Sequence, residues 1–169
     1  LEPYVIPAIF HLLLACCVAF SVGQEFKQRK AQEWISEQSL CSAILSKNIV
    51  YVAIFSVWTW LWMFWLVDLR GWFIAGHLWI ILLAQVLFYL AYALISTFLV
   101  LITKKSLEVF GVLAVYGGSS LSFAGVTLPV TENASWFTKL WSNIIPYTHY
   151  ARLQTQQWVI GSPVKTSFE

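Results

Sequence analysis

Charge is what this sequence has least of. Only 11% of its 169 residues are Asp, Glu, Lys or Arg, against about 25% in a soluble domain. So few charged groups could not cover a globular surface. The same scarcity excludes a disordered chain and a coiled coil, and eight glycines are far too few for collagen. Three cysteines make no disulfide framework and have no metal-ligand spacing. Cys16 and Cys17 sit in an apolar run, where a thiol behaves as a small hydrophobe, and Cys41 lies in a polar stretch. A net charge of +2 does not imply nucleic acid. Missing too are HExxH, a Walker A loop, GxSxG and paired carboxylates within one apolar run. An enzyme is disfavoured on those grounds.

What is present is apolar: 59% hydrophobic and 17% aromatic. Asp, Glu, Lys and Arg are wholly absent from residues 4–24, 48–67, 71–103 and 109–131. A membrane-spanning helix needs about 20 mostly apolar residues. The third run is longer, and its Gly- and Trp-rich start (71–77) reads as an interfacial approach. The expected fold is therefore an all-α integral membrane protein, a polytopic bundle of four spans at about 4–24, 49–67, 78–101 and 109–129. The first apolar run is too long for a signal peptide and has no basic region before it.

Lys and Arg set orientation through short loops. Lys27, Arg29, Lys30 and Lys47 occupy the first connection, and Lys104 and Lys105 the third. The second holds only Arg70, and Lys139 and Arg152 follow the fourth span. This predicts cytoplasmic first and third connections and an extracytoplasmic N-terminus. Trp58, Trp62 and Trp65 share a face of the second span, and Trp72 and Trp79 flank the outer loop; they read as an interfacial belt or as a stacking site. Ala114, Gly118 and Ser122 recur at four-residue spacing and predict close helix packing, within the bundle or against a second copy.

Two segments are neither spans nor simple loops. Over 32–45, Trp34, Cys41, Ile44 and Leu45 fall on one helical face, with Glu33, Glu37 and Ser42 mostly elsewhere, so a cytoplasmic amphipathic helix is expected. Further on, Trp136, Phe137, Leu140, Trp141, Ile144 and Ile145 repeat in pairs every four residues. Ser135 suits an N-cap and Pro146 stops the helix. That helix is too short to span, and with Pro129 before it and Pro146-Tyr147-Thr148-His149-Tyr150 after it, it predicts a hairpin dipping into the outer leaflet. Asn133-Ala134-Ser135 matches a glycosylation sequon. No Asp, Glu, Lys or Arg sits at the centre of a span, which disfavours ion- or proton-coupled transport. His11 alone lies inside a span and reads as a packed, hydrogen-bonded residue; His77 and His149 lie at outer edges.

The run Ser122-Phe123-Ala124-Gly125-Val126-Thr127-Leu128-Pro129, then Trp141-Ser142, then Ile145-Pro146-Tyr147-Thr148-His149-Tyr150 resembles the signature of ABC transporter type-2 permeases. In that family a small-residue helix ends in an "F-[SA]-G-x-[TF]-[FL]-P" turn, followed by a short re-entrant helix and a "[LI]-P-x-T-[HY]-[YF]" turn. The stretch from Gly23 to Arg29 and on through Ser46-Lys47 resembles the family's coupling segment. Here Lys30-Ala31-Gln32 stands where acidic and basic residues followed by Gly-Thr are usual, and Asn133-Ala134 where Met-Pro is common.

The resemblance implies a permease subunit of an exporter in a bacterial inner membrane, with no cofactor of its own. ATP and Mg belong to a separate ATP-binding cassette subunit, and two permease subunits pair. Coupling falls to segment 25–47 with Glu25, Glu33 and Trp34. An outer gate falls to region 130–150 and the turn before it, with Pro129, Trp141, Pro146, Thr148, His149 and Tyr150; residues 151–169 form an outer tail. Members typically have six spans, so the chain corresponds to part of a membrane domain. The alternative reading is a non-transporting membrane scaffold, an assembly subunit or a truncated relic.

Overall fold

The computed structural model describes residues 2–27, 40–124 and 135–163. All regular structure among these residues is helical. Three long helices come first: α1 (Glu2–Lys27), α2 (Leu40–Asp68) and α3 (Leu78–Thr103). Each is long and apolar enough to cross a membrane, over Glu2–Glu25, Ile44–Asp68 and Leu78–Thr103. Shorter helices follow: α4 (Ser106–Gly118), α5 (Ser120–Phe123), α6 (Trp136–Ile144) and α7 (Pro146–Gln154), then a π-helical segment, Thr155–Ile160.

The expected fourth span, 109–129, corresponds to α4 and α5. The 13 residues of α4 reach about 20 Å at 1.5 Å per residue, short of a hydrocarbon core about 30 Å thick. Ser119 separates α4 from α5, and residues 125–134 lie outside the described ones. The expected surface helix over 32–45 also differs in part. Residues 40–45 belong to α2, which runs unbroken into the apolar stretch; the Ser46 hydroxyl donates to Ser42 O within it (2.5 Å). Nothing between Leu40 and Asn48 breaks a helix.

The centre of the bundle is the α1–α3 pair. Helix α1 also packs on α2, α4 and α5, and α3 on α2, α4, α7 and the π segment. Leu14, Val18, Val22, Tyr92, Ala93 and Val100 are buried between them. Small polar groups are satisfied inside: Ser96 donates to Ala15 O (2.6 Å), and Thr97 to Asn48 Oδ1 (3.1 Å). Helix α2 instead turns Ile54, Trp58, Leu61 and Phe64 outward. An outward face of large apolar side chains suits lipid.

Candidate functional site

The residues expected at the outer hairpin build a connected unit. Ser135 caps α6 by accepting the Thr138 N–H (3.2 Å), which satisfies one of the unpaired donors of a helix start. Helix α6 turns Trp136, Phe137, Leu140 and Ile144 outward and Ser142 inward. An amphipathic helix in water would do the reverse. Trp141 is half-buried; its Nε1–H donates to Ser119 Oγ (3.3 Å), and its ring meets Tyr116 edge-on at 6.0 Å.

The carbonyls at the end of α6 find two donors. Tyr116 OH donates to Ile144 O (3.1 Å) and His149 Nε2–H to Asn143 O (2.9 Å). Ile145 is extended, as a residue before proline is driven to be. Pro146 then opens α7 rather than a turn: 146–154 is a nine-residue helix with Pro at its start. Proline fits there because the first N–H of a helix has no intrahelical partner to lose.

Helix α7 buries Tyr147, Thr148, Tyr150, Ala151 and Gln154. Tyr150 stacks on Phe88 (4.8 Å, 6°), and Tyr147 on His11 (5.7 Å). His11 is fully buried among Tyr92 (4.3 Å), Phe88 (5.3 Å) and Tyr147. Its Nδ1–H donates to Pro7 O (3.2 Å), so Nε2 faces Ser120 Oγ (3.5 Å) as an acceptor, and that hydroxyl also meets Tyr92 OH (3.1 Å). From Glu2 to His11 is nine steps, and from Leu78 to Phe88 ten, about 13 and 15 Å. The hairpin therefore reaches about a third of the way down both long helices.

Its return leg is tied to α1. Pro7 has no N–H, so Pro3 O loses its intrahelical donor. Gln154 Nε2 supplies the missing bond (2.9 Å). Tyr147 OH donates to Tyr4 O (2.9 Å), and Tyr4 OH bonds Thr155 Oγ1 (2.8 Å). Above them the π segment clasps the loop before α3. Ala75 N donates to Trp158 O (3.2 Å), Gly76 N to Gln157 O (2.7 Å) and His77 N to Gln157 Oε1 (2.8 Å). A Cβ on Gly76 would lie 2.8 Å from the Gln157 carbonyl, which explains the glycine.

Not every expected site residue joins this unit. Pro129, Glu33 and Trp34 lie outside the described residues, as do the Cys41 side chain and Asn133 of the sequon. Glu25 accepts from Lys47 Nζ (2.7 Å) at the opposite end of the bundle, where Lys47 also reaches Ser21 O (3.4 Å). Among the described residues the Thr148 and Tyr150 hydroxyls have no hydrogen-bond partner. Ala114, Gly118 and Ser122 face outward, and no described atom lies within 4 Å of where a Gly118 Cβ would be. The glycine that lets α4 approach α1 is Gly117, where a Cβ would stand 3.3 Å from His11 Nε2.

Sequence reasoning missed Tyr4, Pro7, Gln154 and Gln157. One signal for the first three was available: a proline inside an apolar run leaves a carbonyl that some distant donor must satisfy. Residues expected as an outer tail instead hold buried Gln154, Gln157 and Trp158.

A family model described as ABC-2 family transporter protein matches residues 3–163. Comparison with curated proteins and with solved structures gives no match.

Proposed function

The chain belongs to the ABC-2 transporter family, and we propose that it acts as the permease subunit of an ATP-driven exporter. Family membership makes it a multi-pass membrane component of a transporter, of a kind that in general works with an ATP-binding subunit. The observation that carries the permease reading is the match over 3–163, which takes in the three long helices and the hairpin together; export is the direction that the resemblance of the 122–150 signature implies. On this reading the chain lines the substrate path, a separate subunit binds ATP and Mg, and two permease subunits pair in a bacterial inner membrane. The outward-facing Ala114, Gly118 and Ser122 suit the pairing.

The Lys47 and Lys104–Lys105 end faces the cytoplasm, and α1 begins outside. Helix α4 begins the fourth crossing. Glu25, Glu33 and Trp34 belong to the segment that meets the ATP-binding subunit, and Trp34 is its apolar anchor. The hairpin with Trp141, Pro146, Thr148, His149 and Tyr150, and Pro129 before it, closes the outer end of the path. Pro146 and His149 shape this gate and transfer no proton.

Substrate efflux from vesicles carrying the protein and its ATP-binding subunit tests the reading. Pro146→Ala frees Ile145 from its extended state, lets α6 run on, and should abolish most efflux while the ATP-binding subunit still co-purifies. His149→Gln keeps a donor for Asn143 O and should cost little. Normal efflux in the first variant with none in the second would overturn the gate and favour a proton relay.

A further inference from the structure

At the end opposite the clasp, an open cleft of about 700 Å³ lies between the last turns of α1 and the start of α4. Phe20, Leu107 and Phe110 line it together with Lys104, Lys105 and Glu108. Phe20 and Leu107 are exposed, Leu107 at 82%. The two lysines follow directly on the last residue of the apolar span α3, so they stand where hydrocarbon gives way to headgroups. Lys105 pairs with Glu108 (2.6 Å), and among the described residues no carboxylate pairs with Lys104. Its described lining therefore carries a net positive charge beside apolar walls.

We propose that this cleft binds an anionic phospholipid, with its phosphate against Lys104 and Lys105 and an acyl chain along Phe20, Leu107 and Phe110. Charge complementarity selects the headgroup. A zwitterionic lipid would bring its own cation to the lysines. The apolar walls select a lipid over a free anion, because phosphate alone would leave Phe20, Leu107 and Phe110 unused. Basic pockets between spanning helices take anionic headgroups in this way, each uncompensated lysine strengthening attraction by about fivefold. The first N–H groups of α4 add partial positive charge at the same point, since no side chain caps that helix start. The inference does not depend on what the protein transports.

The test uses the full chain in phosphatidylcholine vesicles doped with spin-labelled phosphatidylglycerol or spin-labelled phosphatidylcholine. Electron paramagnetic resonance reads the immobilised fraction of each. About fivefold preference for phosphatidylglycerol is expected, falling to near parity in Lys104→Gln/Lys105→Gln. Leu107→Glu keeps both lysines, places a carboxylate at the cleft and should also erase the preference. Arg152→Gln, on α7, should retain it. Parity in the unmodified protein, full preference in the lysine double variant or in Leu107→Glu, or equal loss in Arg152→Gln would overturn the proposal.

Discussion

The two ends of the bundle are held together by different chemistry. Where α1 begins, Gln154, Tyr147, Thr155 and Gln157 join α7 and the π segment to α1 and to the loop before α3 through neutral hydrogen bonds, with one exposed ion pair, Arg70–Glu2, at the rim. Gln154, Tyr147 and Gln157 are buried. Where α1 ends, the joint is Lys47–Glu25, between α2 and α1, and the exposed Lys105–Glu108 pair lies within the start of α4. A buried neutral bond contributes modestly when made, but losing one partner strands the other at a cost of about 1–3 kcal/mol. An exposed ion pair contributes about 0–1 kcal/mol and weakens in salt. At the first end the buried neutral bonds outweigh the exposed Arg70–Glu2 pair, so salt should change it little. The other is adjustable, which suits the end at which a soluble ATP-binding subunit is proposed to dock.

Substitutions can break this contrast. The largest effect is expected at Gly76→Val, which drives a side chain into the Gln157 backbone; overpacking of this kind costs about 1–3 kcal/mol. It should lower the apparent melting temperature in detergent and open the 155–160 segment to protease. Next is Gln154→Leu. It strands Pro3 O at about 1–3 kcal/mol, and Pro7→Ala in the same chain should recover much of the loss by restoring an intrahelical donor. A recovery that fails would sever the link between the two residues.

Smaller and sharper is the pair Tyr147→Phe and Tyr150→Phe. The first removes a bond to Tyr4 O and should cost about 1 kcal/mol. The second removes a hydroxyl with no partner among the described residues and should change the melting temperature little or raise it. The smallest is Lys47→Gln at the other end, at up to about 1 kcal/mol, and smaller in molar salt, which screens the Glu25 partner. A loss there as large as at Gln154 would erase the distinction between the ends.

The long helices were legible because a missing charge over 20 residues is a signal along one dimension. The hairpin was legible from Ser135 and Pro146, which act on their immediate neighbours. What spacing could not supply was facing. Four-residue steps pick out Ala114, Gly118 and Ser122 as a stripe, but the adjacent stripe with Val109, Leu113 and Gly117 turns inward. The difference lies in whether His11 and Leu12 stand opposite, and no local pattern in α4 records that. The beginning of α2 differs for a related reason: Cys41, Ile44 and Leu45 fit a separate amphipathic helix ending at 45, yet 40–45 continue without a break into the apolar stretch. The Gln154–Pro3 bond escaped because its partners lie 151 residues apart. Glu33 and Trp34, proposed to meet the ATP-binding subunit, lie outside the described residues.

That same separation has a meaning in time. A ribosome adds about 5–20 residues each second, so the 151 residues between Pro3 and Gln154 take about 8–30 s to make. For that interval the first turn of α1 carries a carbonyl for which its own helix has no donor. A bare carbonyl in hydrocarbon costs several kcal/mol, so the nascent helix holds that turn at the water boundary, or keeps a water on it, until α7 arrives. Of the described helices, α1 is made before the others and in this sense finished after them.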